Sequence, residues 1–212
     1  MKPVLYHCAD ARSFRVLWML EELELDYELK LLPFPPRVRE PGFLDINPLG
    51  TIPFYVEGSV RMTESPAIVQ YLAARHGGGR FEIGRDKPGF GDYLNALSYG
   101  EATLTFPQTL VLRYSRLEPA ERRLPQVAED YARWFRARLR GLAALLEQRD
   151  YAAGNRFTAA DVSIGYALLL ARTLRLDSDY PPRIAAYWER LEQRDGYRRA
   201  RVAQGNDGDF AA

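Results

Sequence analysis

Proline 53, directly ahead of the apolar run Phe54-Tyr55-Val56, restricts the fold of this chain more than any other residue. Proline has no N–H to give a sheet, so it is confined to a strand's start or edge. The segment therefore reads as a strand opening at Pro53. Val60-Arg61-Met62, beyond the turn signal Glu57-Gly58, reads as its hairpin partner. A cis Ile52-Pro53 bond would turn the outer edge toward solvent and leave the N–H and C=O of Ile52 open to an extended peptide. A trans bond would make Pro53 a plain edge-strand opener. Glu64-Ser65-Pro66 then signals a helix start, with Ser65 as N-cap and Pro66 at the first helical position. The unsatisfied N–H groups and the dipole of such a start attract a carboxylate. A main-chain edge beside an anion-attracting helix start suits a small acidic peptide.

The order of elements around this segment is equally restrictive. Pro3-Val4-Leu5-Tyr6 reads as a first strand, followed by a turn at His7-Cys8-Ala9-Asp10. A helix over 13–23 follows, with Val16, Leu20 and Leu23 at helical spacing. Tyr27, Leu29 and Leu31 alternate with Glu28 and Lys30, the period of a second strand. Strand, helix, strand implies a right-handed crossover between parallel strands. A loop containing Pro33, Pro35, Pro36 and Pro41 leads to the hairpin, and a helix over 66–75 closes a βαβ–ββα unit. That is the order a thioredoxin-like fold requires. Gly77-Gly78-Gly79 then interrupts the chain, and glycine, charge and Pro88 persist to Gly89. Downstream, helical patterns span 90–112, 125–148, 158–174 and 183–194, with no strand alternation of useful length. The expected fold class is α/β plus all-α: a thioredoxin-like domain over 1–77, a linker over 78–89 and an all-helical domain over 90–212.

Composition narrows the class of function. Lys+Arg 29 against Asp+Glu 28 gives a net charge of +1, so no global field recruits nucleic acid or a membrane surface. Cys8 stands alone, which excludes an internal disulfide framework and suits a reducing compartment. His7 and His76 are the two histidines, and no clustered metal-ligand pattern exists. The first residues form a short apolar strand rather than a secretion signal, and no run of about 18 apolar residues occurs. The expected location is the cytoplasm.

Phe157-Thr158-Ala159-Ala160-Asp161-Val162 carries a capping-box signal. Thr158 can cap a helix, Asp161 can reach back to its N–H, and Phe157 and Val162 sit where a hydrophobic staple closes. Ile164-Gly165-Tyr166-Ala167-Leu168-Leu169-Leu170 is apolar nearly all round, the mark of a buried core helix. Taken together, the run from Asn47 to Leu72, the pattern Gly154…Phe157-Thr158…Asp161, the series Pro182…Tyr187…Arg190…Arg194…Tyr197 and Arg12-Ser13-Phe14-Arg15-Val16…Leu20-Glu21-Glu22 resemble, in order, the cytosolic-type soluble glutathione S-transferases, bacterial theta-like or unclassified. In that family the proline is cis and a Glu/Gln-Ser pair holds the γ-glutamyl group. The resemblance implies glutathione as co-substrate without a metal, bound by Arg12, Thr51, Ile52, Pro53, Glu64 and Ser65. It also implies a small hydrophobic electrophile as second substrate, a homodimer and a role in detoxification.

Conjugation needs a thiolate near neutral pH, whereas a free thiol has a pKa of about 8.5. Donors and positive potential at the start of the first helix, around Ala11 to Ser13, would lower it. The family places a Tyr, Ser or Cys there according to subclass. Many bacterial members read Tyr-Ser-Pro-x-Ser-Arg-Ser, where this chain has His7-Cys8-Ala9-Asp10-Ala11-Arg12-Ser13. Three catalytic candidates remain. Ser13 could donate from the helix start or serve as a plain N-cap, and Tyr6 could offer its hydroxyl or be a packed aromatic. Cys8 could form a mixed disulfide or be a small buried apolar residue. Arg12 adds local positive charge. For the second substrate, expected between the domains, Tyr99, Phe106 and Tyr114 are candidate apolar walls or ordinary core aromatics. Besides the transferase, two readings stay open: a glutathione-dependent reductase or isomerase using Cys8, and a non-catalytic binding or assembly module with the altered turn.

Overall fold

The structure, a computed structural model, describes residues 2–205. It divides into two compact units, one drawn from both chain ends, up to Arg80 and from Gln193 onward, and one from Phe81 to Glu192.

The first unit contains β1 (Val4–His7), α1 (Phe14–Glu22), β2 (Glu28–Leu31), β3 (Phe54–Glu57), β4 (Val60–Met62) and α4 (Ser65–His76). Two single-turn helices, α2 (Pro36–Arg39) and α3 (Phe43–Ile46), interrupt the proline-rich segment that the sequence suggested as a loop. The sheet runs in the order β2-β1-β3-β4. β1 lies parallel to β2 with Leu5 opposite Leu29, and antiparallel to β3 with Leu5 opposite Tyr55. β3 and β4 form the hairpin, Val56 opposite Arg61. This is the expected thioredoxin-like domain with a mixed four-stranded sheet. α1 is the wedge of its core: every side chain from Phe14 through Leu20 is buried, including the charged Arg15. The alternation in β2 does not come from burial, because Leu31 is exposed and only Leu29 is half-buried. β2 is an edge strand.

α10 (Asp195–Gln204) belongs to this first unit and packs along α1. Tyr197 meets the rings of Phe14 and Trp18 edge-on, with centroids at 5.7 and 5.1 Å. Arg194 makes a two-pronged ion pair with Glu22, both N···O distances 2.7 Å, while Trp18 donates to the same carboxylate at 2.9 Å. Gly196 is needed at the crossing, since a Cβ there would stand 2.6 Å from Glu22 Cδ. Sequence periodicity stopped the preceding helix at residue 194 and gave this one no prediction.

The second unit is helical among its described residues: α5 (Phe90–Ser98), α6 (Phe106–Leu112), α7 (Pro125–Leu146), α8 (Ala159–Thr173) and α9 (Pro182–Glu192), with a short turn at Ala120–Arg122. The helix expected over 90–112 is not uniform. A π-helical stretch, Tyr99–Thr105, separates α5 from α6, and a second, Arg113–Leu117, follows α6. Pro107 lacks the N–H that a regular helix would direct at Thr103, and the Thr105 hydroxyl instead takes the Gly100 carbonyl at 2.7 Å. The capping box forms as expected. Asp161 Oδ2 accepts from the N–H and the hydroxyl of Thr158 at 2.8 and 3.1 Å, and Oδ1 accepts from the N–H of Ala152 and the hydroxyl of Tyr187 at 2.7 and 2.8 Å. Phe157 and Val162 are both buried, and α8 is apolar-packed from Ala159 to Ala171. Among the described residues no helix is long and apolar enough to cross a membrane.

Candidate functional site

The Ile52-Pro53 bond is cis, as is Phe34-Pro35. Ile52 lies outside the paired register of β1 and β3, which begins at Phe54, and among the described residues its N–H and C=O join no loop hydrogen bond. The turn before it is fixed by Asn47, whose side chain donates to Thr51 O at 2.8 Å and accepts from Leu49 N–H at 3.2 Å. Gly50 closes the turn at φ +60, where a Cβ would lie 2.7 Å from Arg37 Cβ. Ile52 therefore offers a main-chain edge held from behind, while Thr51 beside it is exposed.

α4 begins one residue earlier than the sequence suggested. Glu64 takes the cap position in extended backbone, Ser65 is the first helical residue and Pro66 the second. Glu64 is exposed and Ser65 is buried. Beneath Ser65 lies a residue that sequence reasoning quoted only as part of a motif: Arg15, 0% exposed, donates from Nη1 to Ser65 Oγ at 3.1 Å. A buried guanidinium puts undiluted positive charge at a helix start that already favours anions.

The turn between β1 and α1 holds the catalytic candidates, and its geometry separates them. Ser13 is buried at the cap of α1, where its hydroxyl donates to Cys8 O and accepts from Cys8 N–H, both at 3.3 Å. It braces the turn. Tyr6 packs its ring against Phe43 and Phe54, with centroids at 5.9 and 5.7 Å. Cys8 is buried, with Sγ 3.6 Å from Pro33 O. Arg12 is half-buried just ahead of α1. Asp10, absent from the sequence candidates, adopts φ +55 and is 3% exposed. Its carboxylate pairs with Arg201 and accepts from Gln204 Nε2 at 2.7 Å. Gln204 Oε1 in turn accepts from Asp10 N–H at 3.1 Å and lies 3.3 Å from His7 Nε2. Burial lowers the His7 pKa to about 4, against the opposing influence of Gln204, Asp10 and the Ser13 backbone. His7 is neutral at physiological pH.

The sequence matches the family models for the glutathione S-transferase N-terminal domain over residues 11–75 and the glutathione S-transferase C-terminal domain over residues 109–195, together more than half of the chain. This chain belongs to the glutathione S-transferase family. Glutathione S-transferase PM239X14 of Arabidopsis thaliana is 28% identical over 176 residues, 78% of this chain and 80% of that protein. Glutathione S-transferase 3 of Zea mays is 28% identical over 202 residues, 89% and 88% of the two chains. A shorter match, 38% over 74 residues, joins the chain to glutathione S-transferase 3 of Schizosaccharomyces pombe and spans 35% of this chain and 31% of that one. A solved sphingomonad glutathione S-transferase, complexed with glutathione, superposes with a TM-score of 0.83 at 25% identity, covering 95% of this chain and 98% of that one. The Phanerochaete chrysosporium transferase URE2P8 superposes with a TM-score of 0.84 at 20% identity over 96% and 95% of the chains, a likeness of fold.

The aromatic residues singled out in the helical domain of this family member differ in their surroundings. Tyr99, in the π-helical stretch, donates its hydroxyl to Arg138 O at 2.6 Å, and burial raises its pKa. Phe106 opens α6 with 54% of its surface exposed. Tyr114 is half-buried, with the Arg113 guanidinium 5.5 Å from its ring centre. The residues that sequence reasoning missed, Asp10, Arg15, Arg201 and Gln204, act over separations of 50 to 194 residues. A helical signal was available for one side of the cluster, since Tyr197, Ala200 and Gln204 recur at spacings of three and four.

Proposed function

We propose that this chain binds glutathione in its thioredoxin-like domain and transfers the thiolate to a small hydrophobic electrophile. The observation that carries this reading is the pairing of an open main-chain edge at Ile52 with Ser65, whose hydroxyl is seated on the buried Arg15. Ile52 pairs with the peptide's backbone in the manner of an added strand. Glu64, Ser65 and the start of α4 take the charged α-amino-acid group, the carboxylate facing the helix N–H groups and the amine facing Glu64. Pro53 and Thr51 line the same edge. The sulfur then falls to the start of α1, where the helix dipole and Arg12 stabilise its charge before attack. Ser13 contributes by holding the Cys8 main chain, and Tyr6 by packing.

Tyr99, Phe106 and Tyr114 are offered as the second-substrate wall, with Phe106 the most open of them. Exposed Leu31, Val38, Leu44 and Leu49 on the first unit support a homodimer, which light scattering after size exclusion tests directly. The single cysteine fits a role in cytoplasmic detoxification. A theta-like placing rests on the bacterial pattern, from which residues 7–13 depart.

Two assays test the reading together: calorimetry with glutathione, and conjugation to a chlorodinitrobenzene followed by absorbance. Binding is expected with a Kd below about 1 mM, and Arg12→Met is expected to raise the bound thiol's pKa while Tyr6→Phe and Cys8→Ala leave it in place. No heat at millimolar glutathione points instead to an assembly module. Binding with disulfide reduction that Cys8→Ser abolishes, and with no conjugation, points to the reductase.

A further inference from the structure

We propose that α10 tunes the thiol site electrostatically: Arg201 cancels the charge of Asp10, whose carboxylate would otherwise oppose thiolate formation at the start of α1. This rests on the glutathione reading above and adds to it a positioning pair that lies outside the peptide-binding edge. Asp10 occupies the turn immediately before α1, in a left-handed conformation that aspartate tolerates better than most residues. Its side chain and its N–H both reach Gln204, so one residue of α10 closes the turn from two sides.

That anchoring has an electrostatic consequence. A carboxylate buried in the turn stands among the groups that must favour a second negative charge, and like charges in a partly desolvated site repel strongly. Arg201 removes the conflict. Its guanidinium pairs with Asp10 Oδ1 and also lies 5.8 Å from the Phe14 ring centre, so it is held against α1 as well. The other arginines of the α10 region act elsewhere, Arg194 on Glu22 and Arg199 on Glu21, toward the far end of α1. The remaining titratable or charged side chains around the turn are His7 on β1, Cys8 and Arg12 in the turn itself and Arg15 on α1. His7 is neutral above its pKa of about 4 and adds no compensating charge. With Asp10 and Arg201 paired, the positive potential of Arg12 and the helix start acts on the sulfur undiminished.

The pair predicts shifts of opposite sign. After calorimetry establishes binding to the unmodified chain, the thiol of bound glutathione is titrated by its ultraviolet thiolate absorbance in Arg201→Met, Arg201→Lys, Asp10→Asn and the Asp10→Asn/Arg201→Met double variant. Arg201→Met is expected to raise the thiol pKa by about one unit, the size that an uncompensated nearby charge produces at an effective dielectric of about 20. Asp10→Asn is expected to lower it by a similar amount, Arg201→Lys to restore it, and the double variant to return it close to the starting value. Loosening of the turn alone would move every variant the same way. Shifts of one sign throughout, or none, overturn the proposal while leaving glutathione binding intact. Absence of binding in the unmodified chain removes the underlying reading and this inference with it. Should Arg201→Met fail to fold by circular dichroism, Asp10→Asn decides: an unchanged or raised thiol pKa is fatal.

Discussion

Acid should unfold this protein partly through one imidazole. His7 sits at the end of β1 with no exposed surface, and its pKa falls from 6.5 to about 4 because burial disfavours the charged ring. In the native state it stays neutral down to that value, whereas in the unfolded chain it takes a proton from about pH 6.5 downward. The unfolded state thus binds more protons across this window, so stability is complete above pH 6.5 and is lost as pH falls toward 4. The gap between 6.5 and about 4, at roughly 1.4 kcal/mol per pH unit, amounts to about 3 kcal/mol. Some 2 kcal/mol of it is gone by about pH 5, a large share of a total of about 5–15 kcal/mol. Urea denaturation of the unmodified chain and of His7→Gln, at matched ionic strength from about pH 7.5 to about pH 5, isolates this term. The glutamine amide can still donate to Gln204 Oε1, and every other titrating group, His76 included, is shared. The unmodified chain should lose about 2 kcal/mol more than the variant over that range. Parallel pH profiles would refute the reasoning.

Three further outcomes are expected. Asp161→Ala strips partners from the N–H groups of Ala152 and Thr158 and from the Tyr187 hydroxyl, so denaturation should show a loss of about 3–5 kcal/mol, against under 1 kcal/mol for an exposed alanine substitution on α7. In Gly100→Ala the new Cβ would stand 2.4 Å from Ser163 Oγ and 2.6 Å from its carbonyl carbon, so calorimetric melting should reveal a loss of at least about 1–3 kcal/mol from overpacking. Ser65→Ala should weaken glutathione binding about tenfold with little change in folding stability, and Arg15→Met should weaken both binding and folding, each read by titration calorimetry and urea denaturation.

Local chemistry made much of this molecule legible in its sequence. Pro53 could only open a strand, Glu57-Gly58 could only turn one, and Thr158 with Asp161 closed a capping box; all depend on neighbours within a few residues. What escaped depends on distance. Nothing near Arg15 signals that its guanidinium is buried under Ser65, and nothing near Asp10 signals Arg201, 191 residues on. The π-helical stretch at Tyr99–Thr105 also escaped, since apolar periodicity does not distinguish it from a regular helix and its cause is split between Pro107 and the Thr105 hydroxyl. Ser13 was legible as a residue of the helix start but not as a brace, because its partner is the main chain of Cys8.

A unit assembled from both ends of one polypeptide cannot finish forming during translation until the last segment has been made. When the first eighty residues have emerged, α1 still lacks Tyr197 over Trp18, Arg194 on Glu22 and Gln204 at the Asp10 turn. The intervening stretch from Phe81 to Glu192, by contrast, has all of its own helices before the final twenty residues are added. The nascent chain should therefore complete its inner portion first, and a ribosome stalled just short of the terminus would display an unsealed amino-terminal half.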